Sequence, residues 1–201
     1  MYELLGITLV LAMLLTVNAF ATAIATVLWH VFKRQLLGCS ARTRAELLFV
    51  MRIGPPVIAI VWVAAFLIPS YLEHEPYSTD EFVSKKLGTL AAISAIGVAC
   101  AIWRGIRSWL ATRSLVRKWL SNATAFELKN LDVPAFRLKH TFPIVAVVGT
   151  FRPRLFIAEH VLETLSEEEL AAAIAHEYGH MAARDNLKRA MLRTSRAALL
   201  I

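Results

Sequence analysis

The stretch "LSEEELAAAIAHEYGHMAARDN", residues 165–186, decides how this chain is read. His176 and His180 stand four apart, with Glu177 directly after the first. On an α-helix that spacing puts both imidazoles on one face, so both reach a single ion. Glu177 then stands beside the ion, where its carboxylate accepts a proton from a metal-bound water. The H-E-x-x-H pattern points to two neutral imidazole ligands for Zn2+ and a general base for hydrolysis. Gly179 leaves room for close packing or substrate approach.

The flanking residues predict the helix itself. Ser166 to Glu169 is an S-x-x-E capping box, and Glu167, Glu168 and Glu169 sit where the helix dipole favours negative charge. Alanine-rich sequence carries the helix to about Arg184. On a continuous helix Asp185 falls about 140° around from His180, which predicts that it neither ligates nor orients the histidines. Asp185 and Asn186 are expected to end or cap the helix, with Arg184 pairing locally. Tyr178 is expected in the core. Upstream, "AFRLKH" and "FPIVAVVG" are β-like, "RLFI" is a further strand, and Gly149 and Pro153 supply turn chemistry between the last two.

Farther out the composition changes. The chain has 201 residues, 57% of them hydrophobic, above the roughly 45–50% usual for soluble domains. The excess lies in three runs, about 4–31, 47–69 and 87–111, each long enough for a transmembrane helix. The first is far longer than a signal-peptide core and lacks a basic start, so it is expected to be retained. Pro55 and Pro56 are expected to kink the second. Arg52 lies about a turn inside its basic end and is expected to snorkel. Gly88, Ala92, Ser94 and Gly97 favour close packing of the third, and Trp103 and Trp109 suit an interfacial belt. The domain division expected is a membrane region over 1–111 and a metallopeptidase region over 112–201. An amphipathic helix is expected to continue through "SWLATRSLVRKWLSNA".

The net charge of +7 sits largely beside the hydrophobic runs, where Lys and Arg set topology. The loop at 33–46 is basic, as is the segment after the third run, whereas the loop at 70–86 is mainly acidic. The positive-inside rule therefore predicts an outside N-terminus and a cytoplasmic C-terminal region in the cell membrane. No recognisable nucleic-acid module is present, so no direct nucleic-acid partner is expected. Cys39 and Cys100 form no CxxC pair and read as incidental.

The run "FPIVAVVGTFRPRLFIAEHVLETLSEEELAAAIAHEYGHMAARDNLKRAMLR" resembles the membrane zinc metallopeptidases of the BlaR/MecR antirepressor type. "RPRLFI", "LSEEEL", "AHEYGH" and "ARDNLKR" carry the likeness, together with the three preceding hydrophobic runs. The HtpX-like peptidases are the nearest alternative. The resemblance implies a mainly α membrane protein: three transmembrane helices, then a small α+β gluzincin-like peptidase region. It also implies His176 and His180 as zinc ligands, Glu177 as catalytic base, and a protein substrate, a transcriptional repressor in the antirepressor members. In such enzymes the third ligand is a glutamate on a later helix, so here it is expected beyond Ile201. His140, Glu159 and His160 are the upstream substitutes to weigh, and the family gives none of them that role. A strand edge beside the H-E-x-x-H helix binds extended peptide in gluzincins; Leu155, Phe156 and Ile157 suit that role and core packing equally. A different class of reading is a non-catalytic membrane signalling or scaffold module with an unfinished metal site.

Overall fold

The apolar runs fold as long helices in the computed structural model, which describes residues 2–75, 82–126 and 133–198. Helix α1 covers Tyr2–Leu36, and α2 covers Ala41–Trp62 with Ser40 as its N-cap. The helix runs on through Pro55 and Pro56, although neither has a backbone N–H to donate. A π-helical turn follows about two turns later, at Val63–Leu67, before α3 continues over Ile68–His74. Helix α4 covers Lys85–Leu120, about 54 Å at 1.5 Å per residue, well beyond a hydrocarbon core of about 30 Å. Three helical spans, Tyr2–Leu36, Ala41–His74 and Lys85–Leu120, are long and apolar enough to cross a membrane. The acidic residues Asp80 and Glu81 lie outside the described residues.

Two compact units divide the chain, one of Met1–Arg104 with Met191–Ile201 and one of Gly105–Ala190. In the first, α1 packs on α2, the π-helical turn and α3, and Leu5, Thr8, Ala12 and Asn18 of α1 and Ile53, Pro55 and Ala59 of α2 are buried. Tyr71 donates its hydroxyl to the Tyr2 carbonyl at 2.7 Å. Of the small residues singled out on α4, Ser94 and Gly97 are buried, with Ala91 and Ala101 on the same face; Ala92 is exposed. Cys39 and Cys100 are both free and exposed.

The second unit holds a four-stranded sheet. Strands β1 (Ala123–Phe126), β2 (Ala135–Leu138), β3 (Val145–Val148) and β4 (Arg154–Ala158) lie in the order β1-β2-β4-β3. Strand β4 pairs parallel with β2 and antiparallel with β3. It is an interior strand, which overturns its candidacy as the peptide-binding edge. Its unbroken apolar run is what an interior strand covered on both faces requires. Leu155, Phe156, Ile157 and Ala158 are all at or below 1% exposed. One face of the sheet takes Val161, Leu162, Leu170 and Ile174 from α5 (Glu159–Thr164) and α6 (Glu167–Ala182). Phe156 is packed by Phe136, stacked at 5.4 Å, and by Trp119 edge-on at 5.1 Å. Among the described residues, the edge strand of the sheet nearest α6 is β3.

Candidate metal centre

Helix α6 begins as its sequence predicts. Ser166 Oγ accepts from the Glu169 backbone N–H, and Glu169 Oε2 accepts from the Ser166 backbone N–H at 2.9 Å, closing the capping box. The Ser166 backbone N–H, and second its hydroxyl, which also donates to Glu169 Oε2 at 2.9 Å, hold the Glu169 carboxyl below its ordinary value. Leu170 and Ile174 then face the sheet core. Positions three and seven further on, Glu177 and Met181, continue that face.

The two histidines converge. Their Nε2 atoms lie 3.2 Å apart, with the rings edge to face at 4.7 Å. His180 Nδ1 lies 2.6 Å from Asp185 Oδ2. An ionised carboxylate at that distance favours the tautomer with its proton on Nδ1 and the lone pair on Nε2, the arrangement by which a carboxylate orients a zinc-binding imidazole. The expectation that Asp185 cannot reach His180 is thus overturned. It assumed one continuous helix. Helix α6 ends at Ala182, Arg184 takes a left-handed φ of 54°, and α7 (Asp185–Ala198) starts on a new axis. The break swings Asp185 back over the last turn of α6. The extra signal was the polar trio Arg184-Asp185-Asn186, since Asp and Asn favour helix starts and turns.

Glu177 is tied to the sheet edge. The Val147 backbone N–H of β3 donates to Glu177 Oε2 at 3.2 Å. Asn186 donates its side-chain amide to the Val147 carbonyl at 2.9 Å and to the Gly149 carbonyl at 3.3 Å. Sequence reasoning gave Asn186 only a capping role. Gly149 has φ 118°, and a Cβ there would clash with the Arg152 carbonyl oxygen, so the tight turn after β3 requires glycine. A cavity of about 330 Å³ opens beside His180, with Val147, Phe151, Met181 and Arg184 among its walls.

The remaining candidates lie elsewhere. Glu159 pairs with Arg137 at 3.7 Å, His140 accepts from the Phe142 backbone N–H, and His160 contacts Thr164 within α5. Tyr178 is 45% exposed, so it is not core. Gly179 faces open space. Among the described residues no group of three or more His, Cys, Asp or Glu forms a metal cluster. The donor chemistry of His176 and His180 fits zinc, with two convergent imidazole nitrogens where catalytic sites usually have three protein ligands.

One comparison with known proteins bears on this geometry. Residues 114–201 match the family model for Peptidase family M48. The match contains the sheet, the H-E-x-x-H helix and α7, and that family comprises zinc metallopeptidases. It supports the zinc metallopeptidase family and does not extend to the antirepressor subtype. No curated protein matches the chain, and no solved structure does.

Proposed function

We propose that the protein is an integral-membrane zinc metalloendopeptidase that hydrolyses peptide bonds of a protein substrate. The observation that carries this reading is the pair of Nε2 atoms 3.2 Å apart, with Asp185 behind His180, inside a region matching Peptidase family M48. His176 and His180 hold the zinc, with a third ligand on a later helix as the family resemblance implies. Bound there, zinc supplies Lewis acidity and lowers the pKa of its water to about 7.

The chain's own residues do the rest. Asp185 fixes the tautomer of His180. Glu177, one position on from a ligand, receives the proton as general base. Its hydrogen bond to the Val147 N–H holds the carboxylate between the histidines' helix and the edge of β3. That edge is where an extended peptide adds by main-chain pairing. Hydrolysis is the chemistry this set supports, because it combines a proton acceptor, imidazole ligands and a strand edge.

The finer reading follows from the three hydrophobic spans and the charge of the loops. The basic loop at 33–46 and the arginines after 103 favour a cytoplasmic peptidase region anchored in the cell membrane. With the BlaR/MecR-type order of elements, the substrate class is a cytoplasmic protein such as a transcriptional repressor. The HtpX-like alternative predicts misfolded membrane proteins instead. A peptide-library digestion by the purified full-length protein, read by mass spectrometry, tests the activity. Hydrolysis that stops with chelator and returns with zinc is expected. Absence of chelator-sensitive hydrolysis across the library overturns the reading.

A further inference from the structure

The outward edge of β3 holds a feature that the hydrolytic chemistry itself does not use. Pairing with β4 aligns Val145 with Ile157 and Val147 with Leu155. The Ile144 carbonyl accepts from the Ala158 N–H at 2.8 Å, so even-numbered residues bond inward to β4. Val145 and Val147 therefore present their backbone groups outward, the side on which a further strand would pair. At Val147 both groups are engaged already. Glu177 takes the N–H, and Asn186 takes the carbonyl along with that of Gly149.

The residue that occupies this carbonyl sits next to the metal centre in sequence. Asn186 directly follows Asp185, which holds His180 at 2.6 Å. Consecutive residues at the start of α7 thus bind a proposed metal ligand and the strand edge. The spacing between the two is set by a single peptide unit, about 3.8 Å from Cα to Cα. Both N–H bonds of one amide are used, one on β3 at Val147 and one on the turn that follows it at Gly149, so the tie resists sliding as well as separation. A slip of one residue along a strand moves a docked peptide by about 3.4 Å. A misplacement of about 1 Å is already enough to lower a rate about 10²-fold.

We propose that Asn186 is a positioning residue for peptide hydrolysis: it fixes the edge of β3 relative to His180 and closes that edge at Val147. An extended substrate then pairs at Val145 and is presented in one register. The proposal rests on the peptidase reading and adds the device that sets where the chain is cut.

The test uses the zinc-loaded full-length protein and a peptide with several chemically equivalent bonds, such as an alanine-rich segment. Asn186→Ala removes the amide, and Asn186→Asp keeps its size without a donor. In both variants kcat falls about 10-fold or more, as expected for lost positioning, and cleavage spreads to neighbouring bonds. Zinc affinity, measured by chelator competition, stays within about twofold of wild type, a change smaller than loss of a residue behind a ligand produces. Cleavage confined to the wild-type bond in both variants overturns the proposal, whatever happens to the rate, because a merely structural tie would leave the position of the cut unchanged.

Amide exchange in the unmodified protein gives a measurement that needs no variant to fold. A non-cleavable peptide analogue is expected to protect the Val145 amide and leave Val147 unchanged. New protection at Val147, or none at Val145 with the analogue bound, overturns the proposal alone. A wild-type protein that neither binds nor cuts peptide removes the peptidase reading itself.

Discussion

Replacing Asp185 removes the one partner that holds His180 by its far nitrogen. The Nδ1···Oδ2 separation of 2.6 Å marks a short, charge-assisted hydrogen bond. Loss of such a carboxylate behind a metal-bound imidazole lowers metal affinity about 10–100-fold, or about 1.4–2.7 kcal/mol. The two side chains are 43% and 29% exposed. Solvent screens a pair of that exposure, so the lower part of the range applies, about 10–30-fold. Asp185→Asn keeps the shape and one acceptor oxygen and should fall near 10-fold, with Asp185→Ala below it. Chelator competition at fixed pH on the full-length protein measures both. Glu159→Gln serves as control, because Glu159 pairs with Arg137 and not with either histidine. Zinc affinity within twofold of wild type in both Asp185 variants would refute this account of His180.

Three other substitutions or conditions probe the scaffold. Phe156, fully buried between Phe136 and Trp119, should cost about 3–5 kcal/mol when changed to alanine, measured by chemical denaturation of the unit that holds the sheet, Gly105–Ala190. Gly179 lies in the last turn of α6, and a methyl group added there would meet nothing within 4 Å, so Gly179→Ala should stabilise by about 0.5–1 kcal/mol; a lower denaturation midpoint would show that the site needs that space. Glu169 has a lowered folded-state pKa, so its cap contributes above the ordinary glutamate range and is lost as pH falls through the folded value. Acid titration by circular dichroism should therefore show a low-pH loss of helix that is absent in Glu169→Gln.

The helical spans and the start of α6 were legible because each has a local cause. Long apolar runs mark the spans, and Ser166 with Glu169 marks the cap. The strands at 135–138, 145–148 and 154–158 were legible as β-rich runs between turn residues. Their order was not, because pairing partners are a non-local property. "RLFI" therefore stood as a candidate edge although β4 is interior, and the actual edge beside α6 is β3. The short β1 has little hydrophobic signal of its own and forms by pairing with β2. At the candidate site, the H-E-x-x-H spacing put His176, Glu177 and His180 together on helical geometry alone. Asp185 and Asn186 escaped because a left-handed residue at Arg184, with no glycine to announce it, redirects the chain. Left-handed geometry costs a non-glycine residue roughly 1–2 kcal/mol. The hydrogen bonds from Asp185 to His180 and from Asn186 to β3 are contacts that offset it.

Glu177→Ala tests the central claim most directly. Zinc content and hydrolysis of one cleavable peptide are measured on wild type and variant, purified full length in the same detergent. The account predicts equal zinc in both, cleavage by wild type, and loss of cleavage in the variant by about 10²-fold or more, the scale of a missing general base. Equal zinc in both with cleavage by neither, or with cleavage unchanged in the variant, would contradict it.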